Sequence, residues 1–220
     1  MRLAIMQPYF LPYAGYFRLM CEVDTFVVFD TVQFPRRGWV HRNRLLANNG
    51  ELDWLTLPLV RSATDTLISA LKFHPNARSL WFGRLSRFPA CNQPSGNAQR
   101  IVVLIKMLLD ETPTDYLVRL LRAATAELGL DTPFIMSSKL NLPDLIGRSE
   151  RIFAICEKLG ATTYVNPPGG RAIYDPADFA RRGVTLEFLP DYRGNMASIL
   201  QRFHDEPAMA IRREIEANLI

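Results

Sequence analysis

Cysteine is scarce in this chain, with three residues among 220. Cys21, Cys91 and Cys156 lie far apart and form no CxxC pair, which argues against a disulfide framework and against a cysteine zinc site. Histidine is just as scarce, and because His74 and His204 are isolated in the sequence, a histidine metal site is not expected. We therefore predict no metal centre.

Long apolar runs are also missing. The densest run, IVVLIKMLL from Ile101, includes Lys106 and is far shorter than the roughly 20 apolar residues that a membrane-spanning helix needs. Pro8 and Pro12 interrupt the apolar start of the chain, so a secretory signal is not expected. These absences predict a cytoplasmic protein without a membrane span.

The short motifs of several large enzyme classes are absent as well. The sequence has no GxGxxG after a strand, no GxxxxGK[ST], no GxSxG and no HExxH. Each of these motifs holds a phosphate, a nucleophile or a zinc ion in a defined geometry. The common dinucleotide, P-loop, hydrolase and zinc-protease mechanisms therefore find no support.

What is present is the composition of an ordinary globular protein, with 48% apolar and 22% charged residues. The length predicts a single domain over residues 1–220. The net charge of +4 is mild, but residues 35–44, PRRGWVHRNR, place several arginines around Trp39. Such a stretch suits a phosphate or a stacked base; the alternative is a solvated basic loop.

The hydrophobic pattern predicts short strands that alternate with helices. Residues 2–6 and 25–30 are apolar and rich in β-branched or aromatic residues, as buried strands are. Further strands are predicted at 54–57, 67–73, 134–136, 162–165 and 184–189, and helices at 14–22, 97–110, 115–128 (capped by Thr114), 148–159, 178–182 and 198–220. The fold class is α/β: a mainly parallel, Rossmann-like sheet with flanking helices and a helical insertion around 97–129.

Four unusual loops leave predicted strands at their carboxyl ends. They read QPYFLPYAGY, DTVQFPRRGWVHRNR, SSKLN and NPPGGRAIYD. In an open parallel sheet, ligands bind outside the carboxyl ends of the strands. The four loops therefore predict one site.

The first loop is rigid, because Pro8 and Pro12 each fix a backbone angle. Its candidate substrate-binding residues are Gln7, Tyr9, Tyr13, Gly15 and Tyr16. Hydroxyl and amide groups next to aromatic surface suit the floor of a ligand pocket. The alternative is an aromatic plug packed over the sheet.

The second loop offers the candidate catalytic residues. Asp30, directly after a strand, is predicted to orient a substrate hydroxyl or to act as a base, and the alternative is that it caps a turn or pairs with an arginine. His41 is a further candidate for proton transfer. The substrate-binding candidates here are Gln33, Arg37, Trp39, Arg42, Asn43 and Arg44, with the arginines placed to hold a diphosphate.

The last two loops add smaller contributions. Ser137 and Ser138 are predicted to offer hydroxyls to a phosphate, or else to start a turn. In NPPGG the glycines allow a close approach of ligand to backbone, although any tight turn has a similar composition. The candidates in this loop are Asn166, Gly169, Gly170 and Tyr174.

Taken in order, the motifs are QPYFLPYAGYF, TFVVFDTVQFPRRGW, HRNR, SSKLN, EKLGATTYVNP, GG and YD. This ordered set resembles the WbqC-like protein family from Met6 to about Leu189. The family is known chiefly from gene clusters for surface polysaccharide and modified nucleotide-sugar synthesis, and the resemblance implies a transferase role there. The positions that match its motifs are Gln7, Pro8, Tyr9, Pro12, Gly15, Tyr16, Asp30, Gln33, Gly38, Trp39, Arg42, Asn43, Asn166, Gly169, Gly170 and Tyr174. The chain departs from the family at His41, where asparagine is usual, and at Gln201, where an aspartate is expected.

A more distant likeness concerns the first strand and loop. The order strand, PYAGY, helix, strand is similar to the opening of the nucleotidylyltransferase superfamily, in which two histidines of one turn hold nucleotide phosphates. Tyr13 and Tyr16 stand in those two places here. Tyrosine donates a hydrogen bond but carries no positive charge at neutral pH, so the likeness implies nucleotide binding without classical nucleotidylyl transfer.

The leading hypothesis is a transferase that acts on a nucleotide or nucleotide-sugar in surface polysaccharide (O-antigen-type) biosynthesis, such as acyl or aminoacyl transfer to an amino sugar. The alternative is a non-catalytic, nucleotide-binding-like module that serves a partner enzyme. A homo-oligomer is compatible with either hypothesis. Binding of single-stranded nucleic acid through residues 36–44 is the less favoured third hypothesis, and the sequence identifies no cofactor.

Overall fold

The computed structural model describes residues 1–108, 111–143 and 147–219, and a parallel sheet lies at its centre. The strands are β1 (Arg2–Met6), β2 (Thr25–Val28), β3 (Arg42–Leu46), β4 (Leu52–Thr56), β5 (Phe134–Met136), β6 (Thr163–Asn166) and β7 (Thr185–Phe188). Five of them form one parallel sheet in the order β5-β2-β1-β6-β7. The predicted α/β, Rossmann-like class with a mainly parallel sheet is confirmed.

The apolar runs form strands because the sheet is covered on both faces. Ala4 of β1 pairs with Phe26 of β2 on one side and with Val165 of β6 on the other. All four residues of β2 are buried, as is the centre of β1. Strands buried on both faces read as continuous apolar runs rather than as alternating ones.

Helices cover the sheet and form the remainder of the core. They are α1 (Arg18–Glu22), α2 (Ala77–Leu85), α3 (Pro89–Asn92), α4 (Ala98–Lys106), α5 (Pro113–Glu127), α6 (Arg148–Leu159), α7 (Pro176–Ala180), α8 (Ile199–Asp205) and α9 (Ala208–Ala217). Short 3-10 turns occupy Ala14–Phe17, Ile68–Ala70, Ser137–Lys139 and Pro168–Ala172. The helical segment predicted around 97–129 corresponds to α4 and α5, and residues 109–110 of the predicted helix lie outside the described residues. None of the helices in the described ranges has both the length and the apolar character that a bilayer crossing requires.

Strands β3 and β4 form a separate antiparallel hairpin, which the sequence did not predict as such. The second predicted loop therefore ends earlier than expected, because Arg42 to Arg44 already belong to β3. The side chains of Asn43, Leu45 and Leu55 are buried on the inner face of the hairpin, and Arg44 is exposed on the outer face.

Three local predictions were wrong. Residues 67–73 are not a strand: they contribute two isolated bridges, from Leu67 and Phe73, on either side of a 3-10 turn. Helix α5 is capped by Thr112, whose hydroxyl accepts from the N–H of Asp115, because Pro113 already suits the first helical position. The helix predicted over 198–220 is divided into α8 and α9, because the backbone is extended at Glu206 and Pro207, and residue 220 lies outside the described residues.

The strand order creates one special position in the sheet. Counted along the chain, the parallel strands lie in the order 3-2-1-4-5, as in the first five strands of the Rossmann arrangement. The chain leaves β1 toward β2 and later returns to place β6 on the opposite side of β1. The boundary between β1 and β6 is therefore the topological switch point, where loops diverge and leave a crevice.

Candidate functional site

A pocket of about 220 Å³ lies at this switch point. Gln7 and Tyr9 line it from the loop after β1, and Asn166 and Gly170 line it from the loop after β6. The full lining comprises Ile5, Met6, Gln7, Tyr9, Phe29, Val32, Ile152, Tyr164, Asn166, Pro167, Gly169, Gly170, Ile173 and Tyr174. The structure thus brings together six of the predicted binding residues: Gln7, Tyr9, Asn166, Gly169, Gly170 and Tyr174.

The lining is uncharged, and its polar groups come from amides and tyrosines. Within the described part of the chain, neither the Gln7 amide nor the Tyr9 hydroxyl has a hydrogen-bond partner, so both are available to a ligand. Burial, followed by the neighbouring Tyr13, raises the pKa of Tyr9 above its ordinary value, so its hydroxyl remains protonated and able to donate. These groups can orient a neutral polar ligand against apolar walls.

Tyrosine side chains outside the pocket lining hold the first loop in place. The buried Tyr16 hydroxyl donates to the Gln7 carbonyl at 2.8 Å, which fixes the backbone next to the pocket. Gly15 has no room for a side chain, because a Cβ there would lie 2.3 Å from the Tyr13 ring and 2.7 Å from the Tyr192 ring. Tyr13, Gly15 and Tyr16 therefore shape the loop and do not line the pocket.

The loop after β6 is built around Asn166. Its amide nitrogen donates to the Tyr164 hydroxyl at 2.6 Å, and its amide oxygen faces Gly170 so closely that a Cβ there would lie 2.5 Å away. The Tyr174 N–H donates to the Gly170 carbonyl at 3.0 Å and closes the turn. Gly169, in contrast, faces open space. The close packing at Gly170 sets the position of the Asn166 side chain at the pocket wall.

Asp30 lies in a different place from the pocket lining. Its carboxylate is fully buried and accepts hydrogen bonds from the Ser137 hydroxyl at 2.7 Å, the Ser138 N–H at 2.9 Å and the Ser138 hydroxyl at 2.6 Å. Thr31 also contacts the Ser137 hydroxyl. The three predicted residues Asp30, Ser137 and Ser138 are thus joined to one another, and a role of Asp30 as a base stays a prediction.

The basic stretch ends in strand β3 of the hairpin, and none of its residues lines the pocket. The Arg42 guanidinium stacks 4.2 Å from the Trp54 ring, and it also donates to the Arg37 carbonyl. Arg44 approaches the same ring at 5.3 Å, and the Trp39 ring lies 5.5 Å from it. Two of the arginines predicted to hold a diphosphate, Arg42 and Arg44, therefore lie on this separate surface, and Arg37 contacts it through its carbonyl.

Asn43, His41 and Gln33 have local partners or local packing. The Asn43 amide donates to the carbonyls of Phe10 at 3.1 Å and Leu11 at 2.6 Å, which ties the hairpin to the first loop. Gln33 donates to the Thr64 carbonyl at 2.7 Å. The edge of His41 meets Phe34, and burial together with the nearby positive charge of Arg42 lowers the pKa of His41 to about 4. His41 is therefore a neutral, half-buried ring near pH 7.

The apolar walls of the pocket were not predicted from the sequence. Ile152 is a buried residue of α6, and Ile173 is an aliphatic residue of the last loop. Phe29 and Val32 flank the buried Asp30, while Tyr164 lies within β6. A core residue and a wall residue look alike in sequence, since both are apolar at regular spacing.

Among the described residues, no group of His, Cys, Asp and Glu is arranged to hold a metal ion.

Comparison with known proteins identifies the family. The model of the WbqC-like protein family matches residues 7–197. The "Uncharacterized protein Rv1507c" of Mycobacterium tuberculosis (strain ATCC 25618 / H37Rv) is 29% identical over 205 residues, which cover 88% of this chain and 83% of that protein. No solved structure matches the chain. Since the family model spans most of the chain, including the pocket loops, the chain belongs to the WbqC-like protein family.

Proposed function

We propose that this protein is a transferase that binds a nucleotide or nucleotide-sugar at the switch point of its parallel sheet. The observation that carries the proposal is the position of the pocket, between the carboxyl ends of β1 and β6. In open α/β sheets this crevice is where ligands bind. The family's association with modified nucleotide-sugar synthesis favours a ligand of that class.

The pocket itself takes an uncharged part of the ligand. Its volume of about 220 Å³ is below the range of roughly 300–1,000 Å³ that holds a drug-sized molecule, and no charged side chain lines it. A sugar or base ring fits these properties, with the Gln7 amide and the Tyr9 hydroxyl directed to its hydroxyl or carbonyl groups. The phosphates then lie outside the pocket.

A second depression, formed in part by the same loop, offers a place for the phosphates. It measures about 440 Å³ and is lined by Arg171, Arg193 and Asp191, among others. Arg171 directly follows Gly170 of the pocket wall, so the two cavities share one loop. One guanidinium group can donate two parallel hydrogen bonds to the oxygens of a phosphate. We therefore assign the phosphates to Arg171 and Arg193, ahead of the arginines of the hairpin.

In surface polysaccharide synthesis, the transferred group would be an acyl or aminoacyl group, and the acceptor an amino sugar. A second candidate function is a non-catalytic module that presents a nucleotide-sugar to a partner enzyme. The specific observation in its favour is that the pocket lining contains no carboxylate, histidine or lysine that could act as acid or base.

Thermal-shift measurements test the binding step. The purified protein is screened against uridine and thymidine diphosphate sugars, amino-sugar derivatives, ATP, CTP and acyl-CoA. A ligand at about 100 times its Kd should stabilise the fold by about 2.7 kcal/mol. We expect Gln7→Ala and Arg171→Ala to lose the shift and Gln99→Ala, which changes an exposed amide on α4, to keep it. Absence of a shift with every nucleotide-sugar contradicts the proposal.

Product analysis then separates the two functions. The protein is incubated with the nucleotide-sugar that gave the shift and with an acyl or aminoacyl donor, and the sugar nucleotide is analysed by mass spectrometry. A mass increase equal to the acyl group minus the one hydrogen that it replaces on the amine supports the transferase. Tight binding without any product, with several donor classes supplied, favours the non-catalytic module.

A further inference from the structure

The outer face of the β3–β4 hairpin is an exposed surface that the proposed function does not use. Side chains alternate between the two faces of a strand, and the inner-face residues Asn43, Leu45 and Leu55 are buried. The outer-face positions, given by the strand register, are Arg42, Arg44, Leu46, Leu52, Trp54 and Thr56. We call these six residues the hairpin face.

The hairpin face has an ordered arrangement of apolar and basic groups. At the turn end, Leu46 lies directly opposite Leu52, and they are 41% and 61% exposed. Arg44 and Trp54 form the next pair, followed by Arg42 and Thr56. Two large aliphatic side chains exposed side by side are unusual on a water-facing strand pair, where polar residues are the rule.

Tryptophan extends this surface beyond the strands. The exposed Trp39 ring packs 5.5 Å from the Trp54 ring. The guanidinium of Arg42 lies 4.2 Å over Trp54 and that of Arg44 at 5.3 Å, so both cations are within cation–π distance of the indole. The apolar side chains of this surface are thus interleaved with two positive charges.

The charge of this surface is of one sign. In the described part of the chain, neither Arg42 nor Arg44 has a carboxylate within ion-pair distance. Asp53 projects from the other face and pairs with Arg87. Glu51 is the acid nearest in sequence, in the turn before Leu52. A partner for this surface must therefore be anionic and must also accept exposed apolar side chains.

We propose that the hairpin face, with Trp39, docks the protein on an anionic phospholipid surface. Aliphatic and indole side chains enter the boundary between headgroups and acyl chains, while arginine side chains reach the lipid phosphates. Each arginine near such a surface strengthens binding about fivefold. The two arginines and the four apolar side chains together meet the need for both charge and apolar area.

Other occupants fit less well. The hairpin face is about 16 Å long, from five residues at about 3.3 Å each, and only two strands wide. A stable protein interface needs about 800 Å² on each partner, whereas a bilayer continues beyond the face in every direction. Single-stranded nucleic acid would use Trp39 and the arginines but would leave Leu46 and Leu52 in water. A second copy of the chain would bring together two faces of the same positive charge.

Co-sedimentation of the full chain with vesicles tests the proposal. One set of vesicles contains phosphatidylcholine alone, and the other contains phosphatidylglycerol in addition. We expect binding to the anionic vesicles only, weakened about fivefold by Arg44→Ala, more strongly by the charge reversal Arg44→Glu, and severely by the double change Leu46→Ser, Leu52→Ser. The matched controls Arg213→Glu and Met209→Ser change an exposed cation and an exposed apolar side chain on α9, and they should bind as the parent does.

Three outcomes would overturn the assignment. The first is no binding to anionic vesicles, and the second is equal weakening by the α9 controls. The third is a reassignment of the face to another anion: tight binding of a single-stranded oligonucleotide, or of a nucleotide-sugar, that depends on Arg42 and Arg44 but not on the leucine pair. Circular dichroism of each variant separates loss of binding from loss of fold.

Discussion

The carboxylate of Asp30 accepts hydrogen bonds from both the hydroxyl and the backbone N–H of Ser138, at 2.6 and 2.9 Å. Ser137 adds a third bond at 2.7 Å from its own hydroxyl. The loops that leave the neighbouring strands β2 and β5 are thus joined at the carboxyl edge of the sheet, next to the pocket residues Phe29 and Val32.

This arrangement predicts that Asp30→Ala destabilises the fold. The change leaves the half-buried Ser138 N–H and the buried Ser137 hydroxyl without their acceptor, and an unsatisfied buried donor costs about 1–3 kcal/mol. Urea denaturation should show a loss of about 2–4 kcal/mol in the free energy of unfolding. Asp178→Ala, which removes an exposed carboxylate paired with Arg181, should change it by less than about 0.5 kcal/mol.

The Asp30→Asn variant tests the predicted catalytic role separately. If turnover falls while the free energy of unfolding is unchanged, Asp30 takes part in the reaction. If Asp30→Ala lowers the free energy of unfolding no more than Asp178→Ala does, the hydrogen bonds that Asp30 makes between the two loops do not stabilise the fold.

Alanine is expected to have different effects at Gly169 and Gly170, the two neighbouring glycines of the last loop. In Gly170→Ala the new methyl group would lie 2.5 Å from the Asn166 amide oxygen, so the amide must move away from the pocket wall. We expect a loss of stability of about 1–3 kcal/mol from this overpacking, and weaker ligand binding. Gly169→Ala meets no atom within 4 Å and should leave the melting temperature unchanged. Equal melting temperatures for both variants would contradict this geometry.

The tyrosines of the first loop form a second matched pair. Tyr16→Phe removes the bond to the Gln7 carbonyl and should cost about 1 kcal/mol of stability. Tyr9→Phe removes a hydroxyl that has no hydrogen-bond partner among the described residues, so stability should be unchanged while ligand affinity falls. Chemical denaturation and ligand titration of the two variants give the four values needed. A stability loss in Tyr9→Phe alone would reverse the assignment of the two hydroxyls.

His41 predicts a specific dependence of stability on pH. Burial and the charge of Arg42 lower its pKa from 6.5 to about 4 in the folded state. Between these two pH values the unfolded chain binds more protons than the folded chain. The free energy of unfolding therefore decreases as pH falls from about 6.5 toward 4. His41→Asn should flatten this part of the profile, measured as the urea midpoint against pH.

His74→Asn is the comparison for this experiment, since it removes an exposed histidine. It should retain the slope that is due to His41. If His41→Asn shows the same slope as the parent between pH 4 and 6.5, the ring is not a source of the acid sensitivity.

The parallel sheet could be predicted because burial on both faces produces a clear pattern. Strands such as residues 25–28 are apolar throughout, and Gly160 ends helix α6 in the left-handed conformation that favours glycine. Strand β3 could not be predicted in this way, because one of its two buried positions is Asn43. A polar residue there breaks the apolar alternation, and its partners are two carbonyls of a distant loop.

The carboxyl-edge loops could likewise be predicted, but the direction of each side chain could not. Asp30 and Ser138 have the composition of a ligand site, and the structure pairs them with each other. Gln7 and Asn166 have similar chemistry and line the pocket. A sequence shows which groups can form hydrogen bonds, whereas only the tertiary arrangement decides between a ligand and a neighbouring loop.

The amide of Asn43 joins the hairpin to the carbonyls of Phe10 and Leu11, and the N–H of Phe10 donates to the carbonyl of Trp39. Tyr9, the residue before Phe10, lines the pocket. One short backbone segment, residues 9–11, therefore lines the pocket and also contacts the hairpin and Trp39. Thermodynamic linkage is reciprocal: by whatever factor an occupied hairpin changes the affinity of the pocket, an occupied pocket changes the affinity of the hairpin by the same factor.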